Sequence, residues 1–191
     1  MAKLDPRPAH AYLVRTMSKL PILVAPDSRL KTKAKPVAQV DDRIRRLTDD
    51  MLETMYAAPG IGLAAPQIGV LERIVVIDVA GKDEPRAPLR LINPEITWAS
   101  EELQTAEEGC LSLPEQWSEV VRPAEVKVRY LDETGAKQER HASGILAVCY
   151  RKNLEWPAKI QYFYLIKNQN SHVQWFVVSH FYLQGILDCR L

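Results

Sequence analysis

Glu107-Glu108-Gly109-Cys110-Leu111-Ser112-Leu113-Pro114, near the middle of a 191-residue chain, sets a thiol between a glycine and a Leu-Ser-Leu-Pro run. In that setting a sulfur and its neighbour's N–H can face the same way. A thiolate metal ligand beside an oxyanion-binding amide needs that arrangement. Taken alone, Cys110 reads first as a small buried hydrophobe, because free cysteine behaves that way in most folds. Its meaning depends on what the rest of the chain brings to it.

Upstream lies Gly60-Ile61-Gly62-Leu63-Ala64-Ala65-Pro66-Gln67-Ile68-Gly69. Glycines at 60 and 62 permit close approach by a neighbour or ligand, and Gln67 ends the segment with an amide that both donates and accepts. Ile61, Leu63 and Ala65 alternate as on a short strand. A glycine-rich turn with a surface glutamine is the plainer alternative. The lysine and glycine spacings of phosphate loops and dinucleotide sites are missing. Before this segment, Val40, Ile44, Leu47, Met51 and Met55 recur at steps of three and four. That spacing predicts a helix over 41–57, capped by Asp41 or Asp42 and ended by Pro59.

Length and composition suit one globular domain, with 47% hydrophobic and 26% charged residues. A net charge of +1 gives no bulk electrostatic case for nucleic acid or membrane as a direct partner. Three cysteines without a close-spaced pair favour a reducing cytoplasm over a disulfide scaffold. Residues 1–16 read as a disordered extension ahead of a natural-looking start at Met17. Residues 19–38 are expected to be extended, with a turn at Pro26-Asp27-Ser28 and a solvated basic edge at 31–35.

Downstream, residues 73–79 predict a strand, with shorter ones at Leu91-Ile92 and near Ile96-Thr97-Trp98. Val126, Val128 and Tyr130 alternate with polar positions, and Asp132-Glu-Thr-Gly135 signals a hairpin returning over 137–142. An early helix followed by antiparallel strands is an α+β pattern. The composition changes after Cys149: residues 1–149 carry 22 acids and 20 bases, whereas 150–191 hold two acids and five bases. All three phenylalanines also fall in that second part, including Phe176 within the apolar run Trp175–Tyr182. Such a run is an aggregation hazard if exposed.

Gly60-Ile-Gly-Leu-Ala-Ala-Pro-Gln67 and Glu108-Gly-Cys-Leu-Ser112 together resemble the first two signature motifs of the peptide deformylase family. Leu20-Pro-Ile-Leu, Ile92-Asn-Pro94 and the 126–144 hairpin are similar to that family too, so the resemblance covers residues 17–149. It implies antiparallel sheets packed around a helix. The implied activity is a cytoplasmic, metal-dependent hydrolase of protein biosynthesis, removing the formyl group from N-formylmethionyl nascent polypeptides, with the ribosome as the implied place of encounter. It further implies a divalent metal (iron(II), zinc or nickel) with Cys110 as one ligand. Gln67 and the Leu111 N–H would hold the oxyanion. Gly60 and Gly62 would line the substrate, with Glu108 supporting the site.

The family's third motif, His-Glu-x-x-His, is expected three residues beyond Cys149. Lys152-Asn153-Leu154-Glu155-Trp156 stands there instead. An ammonium and an indole offer no lone pair to a metal, asparagine cannot act as the base, and Pro157 follows. Registering on Leu183-Gln-Gly-Ile-Leu187 places Val178, Ser179 and Tyr182 at those positions, and His172 and His180 are too far apart along a helix to chelate one ion. Residues 150–191 thus read as an aromatic-rich tail in place of the metal-binding helix. Two further readings follow: a catalytically inactive relative that binds nascent N-termini or is a defective product, and Cys110 as a covalent nucleophile, which needs a histidine base. The altered composition suggests a further hypothesis, a frame change or rearrangement after codon 149. On that hypothesis one of the other two frames of the underlying DNA encodes His-Glu-x-x-His just downstream, and its absence from both would overturn the idea.

Overall fold

The computed structural model describes residues 18–154, together with the backbone of 163–166 and 174–177. The first helix, α1 (Asp42–Ala57), starts where Asp41 accepts a hydrogen bond from the Ile44 N–H at 3.0 Å, the expected N-cap. Its predicted stripe faces inward, with Ile44, Met51 and Met55 fully buried.

The stripe packs on a five-stranded antiparallel sheet in the order β1-β2-β3-β6-β7, formed by Gly62–Ala64, Ile74–Ile77, Leu89–Ala99, Glu125–Leu131 and Lys137–Ser143. Because strand side chains alternate, β2 serves two cores. Ile74 and Val76 join Ile44, Met51, Met55 and Leu63 on the α1 face. Val75 and Ile77 join Val126, Val128, Ala147, Cys149 and Tyr150 on the other. A strand buried on both faces reads as the unbroken Ile-Val-Val-Ile seen here.

The second helix, α2 (Gly144–Leu154), lies on that other face. This corrects in part the expectation of a tail in place of a helix. Helix persists as far as Leu154, crossing the point where composition changes, and buries Ala147, Val148, Cys149, Tyr150 and Asn153. The sheet therefore does not depend on the aromatic tail to cover these apolar positions.

Two further differences from the sequence reading have local causes. The strands expected at 91–92 and 96–98 are one strand, β3. Asn93, at φ 51°, bends it without ending it, and the Asn93 side chain pairs with both the N–H and the C=O of Val37 at 2.8 Å. The second is a two-stranded hairpin of β4 (Leu103–Cys110) and β5 (Leu113–Pro123), unrecognised because its apolar and acidic residues alternate without a compact apolar run. The β6–β7 hairpin is as predicted, its turn held by Asp132, whose Oδ1 accepts from the N–H groups of Thr134 and Ala136.

Residues 163–166 (β8) and 174–177 (β9) form an antiparallel pair. The extension 1–16, His10, Glu155–Pro157, His172, Val178–His180, Tyr182–Leu187 and Cys189 lie outside the described residues, apart from those two strands. No helix among the described residues is long and apolar enough to cross a membrane.

The α2 core carries a pH signature. Burial pushes the Cys149 thiol from its ordinary value near 9 up to about 11, and Tyr150 from 10 to about 12. Both groups stay neutral in the fold after their unfolded counterparts have ionised. The unfolded chain then binds fewer protons, so stability is intact below pH 9 and falls as pH rises from there towards about 11. Urea unfolding across that range is expected to show the decline, and Cys149→Ala to make it shallower. An unchanged slope in the variant would show that the thiol is not its source.

Candidate functional site

The two sequence motifs meet, and local structure explains how. Residues 62–64 run as β1, and Ala65–Ile68 then form a single 3-10 turn that aims Gln67 inward, leaving it 3% exposed. Cys110 ends β4 and pairs with Leu113 at the start of β5, so Leu111 and Ser112 are the two residues of a tight hairpin turn. Such a turn keeps the thiol and the turn residues within one another's reach.

Gln67 joins the two segments. Its Nε2 donates to Ser112 Oγ at 3.2 Å and to Cys110 Sγ at 3.8 Å, while its Oε1 accepts the Ala64 N–H at 2.9 Å. The stretch before α1 braces the same pair, because Leu23 N–H donates to the Gln67 carbonyl and Ala25 N–H to that of Ser112. Close approach explains two of the glycines. A Cβ on Gly60 would lie 2.7 Å from Leu111 Cδ1, and one on Gly62 would lie 2.7 Å from Asn153 Nδ2. Residue 60 therefore abuts the Cys110 turn, and residue 62 abuts the end of α2.

Glu108 takes its place through Arg122. Both carboxylate oxygens accept from the guanidinium, at 2.6 and 2.9 Å across the β4–β5 pair, with side chains only 7% and 13% exposed. A bidentate pair of this kind fixes geometry strongly. The structure thus brings Gly60, Gly62, Gln67, Cys110 and Leu111 together, with Glu108 anchored beside them. Arg122, Ser112 and Asn153 were not assigned roles from sequence. Ser112 was visible in the Cys-Leu-Ser triplet, whereas Arg122 and Asn153 could be located only once strand register and helix extent were known.

Cys110 is half-buried, and its hydrogen-bond partner is the Gln67 amide. The one histidine among the described residues, His141, is exposed and pairs with Glu125 at 2.7 Å. Among the described residues, then, nothing supplies the base a nucleophilic cysteine needs. Neither do they bring three His, Cys, Asp or Glu side chains together around a possible ion. A catalytic metal centre requires about three protein ligands with an open position, and Cys110 is one. The described residues do not fit the metal.

An antiparallel sheet between two helices, with a buried amide and a hairpin thiol at one end, defines an α+β site protein. The sequence model described as polypeptide deformylase matches residues 19–170. Over 138 residues the chain is 54% identical to the peptide deformylase of Methylocella silvestris, covering 71% of this chain and 70% of that one. It is also 54% identical over 134 residues to that of Phenylobacterium zucineum, covering 70% and 79%. Among solved structures, a peptide deformylase from Synechococcus elongatus in complex with actinonin superposes with a TM-score of 0.69 at 43% identity, covering 71% of this chain and 74% of that one. This chain belongs to the peptide deformylase family.

The Glu108–Arg122 pair is the most exacting element near the site. Arg122→Met is expected to destabilise the fold by about 3–5 kcal/mol, because it leaves a buried carboxylate uncompensated. Adding Glu108→Gln should recover most of that loss. Urea unfolding of the single and double variants measures both, and a single variant as stable as the parent would mean the pair is not buried as described.

Proposed function

We propose that this chain acts as a peptide deformylase on N-formylmethionyl peptides, in the cytoplasm and on nascent chains at the ribosome. Family membership supplies the reaction class. The observation that carries the reading to this chain is the convergence of Gln67, Cys110 and Ser112 in one hydrogen-bonded cluster, walled by Gly60 and Gly62.

The reaction is hydrolysis of a formamide. Water oxygen adds to the formyl carbon, whose carbonyl oxygen becomes an oxyanion. The C–N bond then breaks as the nitrogen takes one proton of the attacking water, and the second proton passes to the amine as formic acid ionises and leaves as formate. Gln67 and the Leu111 N–H are the proposed oxyanion donors. Gln67 can make that exchange at small cost, because its 3.8 Å contact with a thiol is the weakest hydrogen bond it makes. Its other bonds, to Ser112 and Ala64, keep the amide aimed while that one is surrendered. Gly60 and Gly62 let backbone lie close against Leu111 and Asn153 in the wall proposed to face the substrate chain, and Glu108, held by Arg122, keeps the β4–β5 hairpin in register beneath the thiol.

Family members work with a divalent metal, and Cys110 is the described residue suited to ligate it. The other described side chains do not complete its shell.

Formate release from formyl-Met-Ala-Ser by the full chain, with iron(II), zinc or nickel supplied, tests this reading. Turnover only with metal in large molar excess over the chain is expected. Gln67→Glu replaces the donor amide with a carboxylate of the same shape and should lower kcat by about 10²–10³, with much less effect on KM. No formate at any metal concentration, together with no binding of the formylated peptide, would overturn the proposal.

A further inference from the structure

We infer that the end of α2 brings an amide and an ammonium to the place where this fold would gather its remaining metal donors, so that the chain retains no divalent ion at Cys110. The inference rests on the family reading above, because the expected ligand positions come from it.

Asn153 is the central observation. It is 6% exposed, and its Nδ2 donates to the Cys149 carbonyl at 2.8 Å within its own helix. Its Nδ2 also sits 2.7 Å from where a Cβ on Gly62 would be, so the amide fills the space beside the first motif. An amide fixed in this way presents no anionic oxygen to an ion and has no acid form with which to move a proton. Burial also makes the substitution consequential, since water cannot readily take the place of a packed side chain.

Lys152 adds a charge of the wrong sign. Its ammonium belongs to the residue next to Asn153, about one turn along α2 from Cys149, and acts on the Cys149 thiol as the Glu108 carboxylate does. A fixed positive charge there opposes entry of a divalent cation.

An independent observation on the same helix agrees. The Tyr150 hydroxyl is fully buried and has no hydrogen-bond partner among the described residues. A buried unsatisfied hydroxyl costs about 1–3 kcal/mol, which natural cores avoid. The first residue after Cys149 thus lacks a partner among the described residues, and Lys152 and Asn153, two and three positions on, lack the donors a metal needs.

Two measurements on the dialysed full chain test the inference: metal per chain by elemental analysis, and alkylation of Cys110 by iodoacetamide with and without one equivalent of zinc. The native chain is expected to carry less than about 0.1 ion per chain, with Cys110 equally reactive in both conditions. The triple variant Lys152→His, Asn153→Glu, Trp156→His is expected to approach one ion per chain and to protect Cys110 when zinc is present. About one tightly held ion in the native chain, with Cys110 protected, would overturn the inference. So would a folded triple variant that gains no metal, while the native-chain arm decides alone if the variant does not fold. Binding of formyl-Met-Ala-Ser in preference to Met-Ala-Ser is read separately. Its loss would remove the functional reading, whereas its presence alongside a metal-free chain would leave that reading intact.

Discussion

The buried side-chain amide of Gln67 is the interaction on which the site depends. One planar group satisfies Ala64 on its own turn, Ser112 on the opposite hairpin and the Cys110 sulfur, while its backbone carbonyl receives Leu23. An unmet buried amide would be costly, so each of these partners is held to its position by the others. The result is a rigid corner where two segments more than forty residues apart in sequence behave as one wall.

That corner stands on a sheet with two apolar faces. Strand β2, buried throughout, divides its side chains between the α1 and α2 cores. Anchoring β1 against β2 fixes where the 3-10 turn begins, and the turn in turn fixes the direction of Gln67. The Cys110 hairpin is positioned differently, by its own strand pairing and by the buried Glu108–Arg122 bond. Two largely independent local structures therefore deliver the two motifs. The third contributor, α2, arrives from the opposite core and touches the site through Asn153.

Much of this was legible in the sequence. Helix periodicity and the Asp41 cap located α1 almost to the residue, and the Asp132–Gly135 turn located the β6–β7 hairpin. The Cys110 and Gln67 segments could be named as partners only through resemblance, because no spacing rule relates them. The β4–β5 pair escaped notice because acidic residues such as Glu107, Glu115 and Glu119 occupy strand positions, and their tolerance there depends on exposure. The persistence of α2 past Cys149 is hidden for a related reason: Lys152 and Pro157 signal a break, whereas Ala147, Cys149 and Tyr150 hold the helix by filling an apolar face of the sheet. Asn153 was read as a missing base, but its packing against Gly62 is a tertiary fact.

Because the Gln67 corner is assembled from short-range elements, its architecture is separable from the chemistry it frames. Selection for a folded chain acts on the sheet, on the ion pair and on the amide clasp, all of which lie before Cys149. On the proposed function, selection for turnover bears also on Gln67, Cys110 and Leu111, and on the end of α2. A lineage can therefore keep high overall identity and the same backbone while the end of one helix changes. In this fold the marks of kinship are spread over the sheet and both motifs, and they do not report on that helix end.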